Sequence, residues 1–434
     1  MAKPLSDKQK LRNFFRDAAA RVETIDPACR HFRDCGGCEF QHIPYDRQLA
    51  MKQEAFSFIT DTVIEDYQKK AAADRSDPDK TEQADILLAK AELLEQYAKG
   101  RETGIVSSPS AYGYRQRMDY VFAWGEKAGL RRANRHRQVV ELEECPLLGD
   151  AGFAVFQKAL RLAKAAGLEC YDYVRHHGEL RYFVVRRSRE GGILLSLVTK
   201  TRGAGERVAS VLQELVEDGD IVSGHWLLAD GLGDVSFGEP LAHFGEVCIF
   251  EELDGVRLGI GPNTFFQANP AVAEIAYTMI RDFAPAGGTV LDMFSGVGSI
   301  AFFIASGAGQ VLAVESVPEN VNLANLNSRE NNCPNVILVE EDASVWLERT
   351  AADPEAAKPD MVVVNPPRPG VGDKGMAAVK KLLPGKVAYL SCNPFTLLRD
   401  LTMLLDAYEL TSVTVFDMFP QTRHFETLAL LTRK

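Results

Sequence analysis

The residues best placed to do chemistry lie near the C-terminus, where a cysteine follows a short apolar run. Val387-Ala388-Tyr389-Leu390 predicts a buried strand. Cys392 stands in the polar turn that follows, between Ser391 and Asn393 and before Pro394. In an open α/β sheet, ligands bind at the carboxyl ends of the parallel strands, so this thiol could act on a bound molecule. An isolated cysteine here is more often a small buried residue, and the surrounding motifs must decide.

A second candidate site lies about one hundred residues earlier. Leu291–Ala301 reads as a strand, a glycine turn and a helix start, in which Gly296 and Gly298 let the backbone approach a ligand. Glu315 ends the next predicted strand and could accept ribose hydroxyls, and Asp342 ends the third and could meet an adenine amino group. The same glycine spacing also satisfies the dinucleotide fingerprint of NAD enzymes. A closing antiparallel strand pair and the lack of a second mononucleotide half favour S-adenosylmethionine.

A double proline ends the fourth predicted strand of this region. The run Val364-Asn365-Pro366-Pro367-Arg368 fixes its backbone and points the Asn365 amide toward the cofactor cleft. Two prolines at a strand end can be ordinary turn chemistry. At this position in a nucleotide-binding sheet, a functional turn is favoured.

Four cysteines predict a metal centre in the N-terminal part of the chain. Cys29, Cys35 and Cys38 lie close together around two glycines, and Cys145, followed by a proline, is the candidate fourth ligand. A [4Fe–4S] cluster fits better than zinc, because structural zinc sites favour paired C-x2-C knuckles. A zinc site built from the same four thiols remains the alternative. Either group would tie the N-terminus to a distant segment. Its first role would therefore be structural, and any redox role would be secondary.

These motifs need a sheet to position them, and the pattern after Gly261 is that of alternating strands and helices. Strands are predicted at Thr289–Phe294, Gln310–Ser316, Asn335–Glu341, Met361–Asn365 and Lys386–Ser391, and a closing antiparallel pair at Leu410–Met418 and Phe425–Thr432, joined by a short turn. The fold class is therefore α/β, with a Rossmann-like parallel sheet that ends in an antiparallel hairpin. Four regions are predicted: 1–59 with the cysteines, 60–103 as a helical insertion, 104–258 as an antiparallel-rich α+β domain, and 259–434 as the cofactor-binding domain.

The composition of the chain argues against several classes of protein. The 434-residue chain has no apolar run long enough to cross a membrane and no signal-peptide core at its N-terminus, so a cytoplasmic protein is expected. Eight cysteines in a reducing compartment argue for metal binding or catalysis rather than disulfides. The net charge of −11 argues against indiscriminate nucleic-acid binding.

One basic stretch stands out against that negative charge. Residues 111–140 hold seven Lys and Arg against two Asp and Glu, interleaved with Tyr112, Tyr114, Tyr120 and Trp124. Arginines suit phosphate pairing and aromatic rings suit base stacking, so the stretch suggests RNA binding. A solvated charged face is the plainer interpretation.

Taken together, the sequence resembles the RNA uracil-5 methyltransferases, which make 5-methyluridine in tRNA and 23S rRNA. The resemblance covers nearly the whole chain and rests on the four cysteines, Tyr114–Cys145, Phe265-Phe266-Gln267-Ala268-Asn269, the Asp292–Gly298 turn, Asn365-Pro-Pro-Arg368, Ser391-Cys392-Asn393-Pro394 and the run from Phe416 to Glu426. It implies that the S-adenosylmethionine and uracil pockets are lined by Gln267, Phe294, Ser299, Glu315, Asp342 and Asn365. It also implies that Cys392 is the nucleophile and Glu426 the general base.

The implied chemistry explains why these residue types are needed. C5 of uracil is too weak a nucleophile for a sulfonium methyl group, and a thiolate adding at C6 activates it. Cys392 would supply that thiolate, with a pKa lowered by the site. Glu426 would then remove the C5 proton. The target uridine must be unpaired or flipped out.

Alternatives remain for the substrate and for the class of protein. The chain lacks the N-terminal β-barrel of several family members but keeps the cysteines, which favours 23S rRNA as the substrate, with tRNA second. A cytosine-5 enzyme is set aside because Pro367 stands where its cysteine is expected. A non-catalytic iron–sulfur RNA-binding protein is opposed by the presence of both Cys392 and Glu426. No membrane or obligate protein partner is expected.

Overall fold

Two large β-sheets, a small two-stranded sheet and a layer of N-terminal helices form the described part of the protein. The computed structural model describes residues 5–98, 103–123 and 127–434. Trp124, one of the predicted base-stacking residues, lies outside these ranges, as do 1–4 and 99–102. Within the described ranges, no helix is long and apolar enough to span a membrane.

The N-terminal layer consists of three helices and a short strand: α1 (Asp7–Ala19), α2 (Tyr45–Asp74), α3 (Thr81–Ala98) and β1 (Gly104–Val106). Ser6 caps α1, and its capping box with Gln9 satisfies backbone amides that the first helical turn leaves free. α2 and α3 pack together as a hairpin. Phe56 and Ile59 on α2 are buried in the same core as Tyr389 in the C-terminal sheet. The hairpin therefore helps to cover that sheet.

The central domain is a seven-stranded sheet with two helices on one face. Its elements are β2 (Arg117–Ala123), β3 (Lys127–Arg132), β4 (Arg135–Glu141), α4 (Asp150–Ala165), β5 (Leu180–Arg187), β6 (Ile193–Thr199), α5 (Gly205–Glu217), β7 (Ser223–Leu228) and β8 (Glu239–Gly245). The strand order is β4-β3-β2-β5-β6-β7-β8, and only β6 and β7 run parallel, joined by α5. This agrees with the predicted antiparallel-rich α+β domain.

A hairpin of β9 (Ile249–Leu253) and β10 (Val256–Ile260) leads into the C-terminal region. The elements that follow are α6 (Pro270–Phe283), β11 (Thr289–Met293), α7 (Ser299–Ile304), β12 (Gln310–Glu315), α8 (Pro318–Glu330), β13 (Val336–Glu340), α9 (Ala343–Ala352), β14 (Met361–Val364), α10 (Gly372–Leu382), β15 (Lys386–Ser391), α11 (Pro394–Leu401), β16 (Tyr408–Phe416) and β17 (Glu426–Arg433). Every predicted strand of this region is present, within about two residues at its ends.

The C-terminal sheet has the strand order β13-β12-β11-β14-β15-β17-β16-β1. β11 to β15 are parallel, and β17 is antiparallel to β16, as expected for the closing pair. β17 is also antiparallel to β15. The connection between β16 and β17 is a loop over residues 417–425 rather than the short turn predicted. Because β12 lies on one side of β11 and β14 on the other, their carboxyl ends form the crevice where such sheets bind ligands.

Three of the predicted domain limits differ from the structure, and the limit between residues 258 and 259 falls inside β10. Residue 60 lies within α2, which continues without a break to Asp74. β1, placed by sequence in the central domain, pairs in parallel with β16 and so belongs to the C-terminal sheet. A three-residue strand is too short to show a periodic pattern, and its partner lies some three hundred residues away.

Candidate active site

The crevice beside β11 and β14 holds a pocket shaped by a tight turn. Phe294 and Gly296 have left-handed φ angles of 61° and 58°. Gly298 has φ 81°, and a Cβ there would lie 2.4 Å from the ring of Phe302, so only glycine fits. The pocket is lined by Phe265, Phe266, Gln267, Tyr277, Asp292, Phe294, Ser295, Gly296, Val297, Ser299, Ile300 and Asn365.

Most of the predicted cofactor-binding residues meet at this pocket. Five of them line it: Gln267, Phe294, Gly296, Ser299 and Asn365. They come from three separate parts of the chain, the segment before α6, the turn after β11 and the end of β14. The sheet therefore brings together residues that the sequence only placed at strand ends.

The two predicted acidic residues at neighbouring strand ends behave differently. Glu315, at the end of β12, accepts a hydrogen bond from the Gly296 amide at 2.9 Å and so borders the pocket. Asp342 is the N-cap of α9 and accepts hydrogen bonds from the amides of Ser344 and Val345 at 2.9 and 3.0 Å. It is not among the residues that line the pocket. The capping bonds give Asp342 a structural role whether or not it meets a ligand.

Asp292, on β11, is a site residue that the sequence analysis did not assign. It lines the pocket while being 1% exposed. Its two carboxylate oxygens lack a hydrogen-bond partner of ordinary geometry within the described residues, although the Ala301 amide is near. Burial raises the pKa of Asp292 to about 8, and the charge of Glu315 adds to the rise. An acidic residue within an apolar strand was the available signal.

The predicted nucleophile and base lie together at the end of the same sheet. Cys392 directly follows β15, and Glu426 begins β17, its antiparallel neighbour. The register pairs Ser391 with Thr427, which places Cys392 and Glu426 at the same edge. Glu426 is 4% exposed, and Cys392 is partly exposed.

Arg368 completes this group. It ends the Asn365-Pro-Pro-Arg368 motif, but the sequence did not assign it a role. Its positive charge favours the ionised forms of the Cys392 thiol and of the Glu426 carboxyl. The charge of Glu426 also acts on Tyr277, which lines the cofactor pocket. The thiol, the cation, the carboxyl and the pocket are therefore neighbours. A charged residue directly after a rigid double proline was the sequence signal for Arg368.

The pKa of Cys392 differs from the value predicted from the sequence. Burial raises the pKa of Cys392, Glu426 adds to the rise, and Arg368 opposes it. The prediction of a lowered thiol pKa is therefore wrong for the free protein. Burial also raises the pKa of Glu426 to about 8, again opposed by Arg368. Near neutral pH the free site mainly holds a neutral thiol and a protonated carboxyl.

The four cysteines of the N-terminal prediction surround a second pocket. Its lining includes Cys29, Cys35, Cys38 and Cys145. The Arg30 amide donates to Glu144 at 2.7 Å, and the Glu143 amide donates to His31 at 2.9 Å, so the two segments are joined. In the part of the chain that the structure describes, no three His, Cys, Asp or Glu side chains are arranged as a metal site. The cluster therefore stays a prediction.

The basic stretch is only partly available to RNA. Tyr120 is fully buried, and Tyr114 is buried with its hydroxyl donating to the Pro420 carbonyl at 2.9 Å. These two rings cannot stack on RNA bases, so that part of the interpretation is wrong. Arg135 and Arg137 on β4 are exposed, and they keep a positive edge on the central domain.

Comparisons with known proteins agree with this site. A family model described as tRNA (Uracil-5-)-methyltransferase matches residues 259–434. An uncharacterized RNA methyltransferase of Caldanaerobacter subterraneus subsp. tengcongensis is 32% identical over 429 residues, covering 94% of this chain and 85% of the relative. One from Nitratidesulfovibrio vulgaris is 30% identical, covering 95% and 84%.

A solved structure shows the same fold over most of the molecule. It is the Pyrococcus abyssi tRNA (uracil-54, C5)-methyltransferase in complex with S-adenosyl-L-homocysteine. The TM-score is 0.71 at 26% identity, and the match covers 92% of this chain and 86% of that one. With a pocket at the sheet's switch point and a thiol, a cation and a carboxyl beside it, the chain belongs to the RNA uracil-5 methyltransferase family and is an S-adenosylmethionine-dependent RNA (uracil-5-)-methyltransferase.

Proposed function

We propose that this enzyme methylates uridine through a covalent bond between Cys392 and C6 of the uracil ring. The observation that carries this mechanism is the grouping of Cys392, Arg368 and Glu426 beside the cofactor pocket. A thiol next to a cation can be converted to a thiolate, and a carboxyl on the adjacent strand can accept a proton.

The first step needs Cys392 as a thiolate, although the free site mainly holds it as a neutral thiol. Cys392 gives its proton to water, its sulfur bonds to C6, and the electrons of the C5–C6 double bond move toward O4 to give an enolate. Arg368 stabilises the thiolate as the proton leaves, because its charge lowers the pKa of the thiol. C5 then takes the methyl group that S-adenosylmethionine supplies when bound.

The last step falls to Glu426. Its ionised carboxylate removes the proton from C5, the C5–C6 double bond forms again, and the Cys392 thiolate is expelled. Because its pKa is raised to about 8, the carboxylate binds this proton more strongly than an exposed glutamate does. The same pKa makes the ionised form scarce at neutral pH, so the step quickens as the pH rises.

The predicted cofactor residues divide into two proposed roles. Gln267, Phe294, Gly296, Ser299 and Asn365 line the pocket, and we assign them to S-adenosylmethionine and the uracil ring. Gly298 and Glu315 shape its edge through the tight turn and the Gly296 amide. We add Asp292, whose buried carboxyl faces the same pocket.

We also propose that the N-terminal cysteines hold a [4Fe–4S] cluster. Cys29, Cys35, Cys38 and Cys145 surround one pocket and come from two segments that already contact each other. Held by these four thiolates, a cluster would tie the N-terminus to the central domain. Iron content and visible absorbance of anaerobically purified protein distinguish this centre from zinc.

We propose 23S rRNA as the substrate, because the chain has the four N-terminal cysteines on which the family resemblance rests in part. A specific observation favours tRNA as the second candidate. The matched Pyrococcus abyssi enzyme is a tRNA uracil-54 methyltransferase, and the match covers 92% of this chain. A tRNA enzyme can therefore have nearly this whole architecture.

The decisive test is mass spectrometry of nucleosides. Purified enzyme and S-adenosylmethionine are incubated separately with unmodified 23S rRNA and unmodified tRNA. New 5-methyluridine in one pool supports the function and names the substrate. If neither pool gains it while S-adenosylhomocysteine still binds, both substrate proposals are wrong.

A further inference from the structure

The loop over residues 417–425, directly before Glu426, is held from outside its own sheet. Asp417 is buried, and its amide donates to the Val106 carbonyl of β1 at 2.9 Å. The Pro420 carbonyl accepts a hydrogen bond from the Tyr114 hydroxyl at 2.9 Å. Unlike an ordinary hairpin turn, this loop depends on distant parts of the chain.

A reciprocal pair of hydrogen bonds joins Gln48 on α2 to Gln421 in the loop. Gln48 is 0% exposed and Gln421 is 2% exposed. The Gln48 side-chain amide donates to Gln421 Oε1 at 2.9 Å, and Gln48 Oε1 accepts from the Gln421 backbone amide at 3.0 Å. Gln421 has φ 67°, a left-handed conformation that a side chain disfavours. The reciprocal pair therefore fixes the loop at its most strained residue.

A buried ion pair one helical turn further along α2 holds the same loop. Lys52 and Asp417 are both fully buried, and the Lys52 ammonium contacts the Asp417 carboxylate. The ammonium also donates to the Phe419 carbonyl at 3.0 Å. Gln48 and Lys52 are four residues apart, so they lie on one face of α2. One helix face therefore contacts the loop at Asp417, Phe419 and Gln421.

The cysteine segment contacts the loop at the same point. Glu39, the residue after Cys38, donates its amide to the Gln421 carbonyl at 2.7 Å, and the Phe40 amide donates to that oxygen at 3.0 Å. Gln48 also donates to the Phe40 carbonyl at 3.1 Å, which ties the three parts together. The Glu39 carboxylate pairs with Arg423, two residues further along the loop.

We propose that Gln48 and Gln421 are positioning residues that set the place of Glu426 and connect it mechanically to the cysteine segment. This inference rests on the proposed function, in which Glu426 removes the C5 proton. A displaced loop moves Glu426 away from C5 but leaves Cys392, on β15, in place. Loss of the pair therefore slows resolution of the covalent adduct and spares its formation.

The test follows both steps in single turnover for Gln48→Ala and Gln421→Gly. The methylatable RNA found for the wild type is mixed with enzyme and S-adenosylmethionine. The covalent adduct is read on a denaturing gel, and 5-methyluridine is read by mass spectrometry. We expect adduct resolution to slow about 10- to 100-fold, with adduct formation changed less than about threefold and S-adenosylhomocysteine affinity unchanged.

Gln53→Ala is the matched control, because Gln53 lies on the same helix but donates to the Thr103 carbonyl, away from the loop. Gln421→Gly keeps the test valid if Gln48→Ala folds poorly, since glycine adopts the left-handed conformation without strain. If both residues act through one contact, the double variant is no slower than the slower single variant.

Two results overturn the proposal. One is adduct resolution in Gln421→Gly that matches Gln53→Ala. The other is an equal loss of adduct formation and resolution, which would indicate general damage. A wild-type enzyme that forms neither adduct nor 5-methyluridine would instead contradict the proposed function itself.

Discussion

Two sets of partly or fully buried thiols in this enzyme share a raised pKa and differ in what surrounds them. Cys392 stands beside the Arg368 cation and the Glu426 carboxyl at the end of a parallel strand. The N-terminal thiols stand beside one another, and burial, with neighbouring thiols adding to it, raises the pKa of Cys35 and Cys38 to about 12.

The comparison shows that a raised pKa alone does not separate a nucleophile from a metal ligand. A single thiol with a cation on one side and a proton acceptor on the other is arranged for a transient bond. Several thiols around one pocket lie beside one another instead, and we propose that they share one metal group. The residues around a cysteine, rather than its pKa, therefore distinguish a nucleophile from a metal ligand.

The largest expected effect is the loss of the single thiol. Cys392→Ala should lower 5-methyluridine formation at least about 10⁴-fold, because no other group can add to C6. Isothermal titration should show unchanged binding of S-adenosylhomocysteine, since Cys392 does not line that pocket. Cys333→Ala, at a partly exposed cysteine elsewhere, should keep full activity. Unchanged turnover in Cys392→Ala would exclude the covalent mechanism.

Glu426→Gln tests the proton acceptor beside that thiol. The amide cannot accept the C5 proton, so turnover should fall about 10²- to 10⁴-fold while the covalent adduct accumulates. A denaturing gel with labelled RNA should show a stable shifted band that is absent for Cys392→Ala/Glu426→Gln. A variant that turns over normally and shows no band would exclude Glu426 from the reaction.

Most of this site could be predicted from strand ends and motifs. Each predicted strand of the C-terminal sheet is present, so the placing of Cys392 and Asn365 followed from chain order alone. The antiparallel pairing of β16 with β17 was also expected, because two adjacent strands joined without a helix run antiparallel. The pairing of β17 with β15, which brings Glu426 to Cys392, was not predicted.

The electrostatics and the distant contacts could not be predicted in this way. The raised pKa of Cys392 comes from burial and from Glu426, and both depend on packing that no local pattern records. Asp342 looked equivalent to Glu315, yet its carboxylate caps α9. The Gln48–Gln421 pair joins residues 373 positions apart, beyond any sequence periodicity.

Replacing the cation beside the thiol should have a smaller effect with a defined sign. Arg368 lowers the pKa of both Cys392 and Glu426, so Arg368→Met should raise both and move the rate–pH profile to higher pH. At neutral pH we expect a loss of roughly tenfold, which corresponds to one pKa unit. Single-turnover rates between about pH 6 and about pH 9 measure the shift.

Arg368→Lys, which keeps the charge, is the control and should hold the wild-type midpoint more closely than Arg368→Met. In the wild type the rate of adduct resolution should rise toward a plateau above about pH 8, as Glu426 ionises. A profile for Arg368→Met that is lowered at every pH without moving would mean that the cation binds RNA instead of tuning the two groups.

The smallest effect on the reaction should come from the other set of thiols. Cys35→Ser removes one of four proposed ligands, so iron content should fall and the midpoint of thermal unfolding should drop by roughly a few degrees. Adduct formation per folded molecule should stay at the wild-type rate, because no contact of the N-terminal segment reaches Cys392 among the described hydrogen bonds and ion pairs. Adduct resolution should slow slightly, since the Glu39 and Phe40 amides hold the loop before Glu426. A loss of adduct formation as large as that of Cys392→Ala would mean that the two sets of thiols share one function, and the distinction by neighbours would fail.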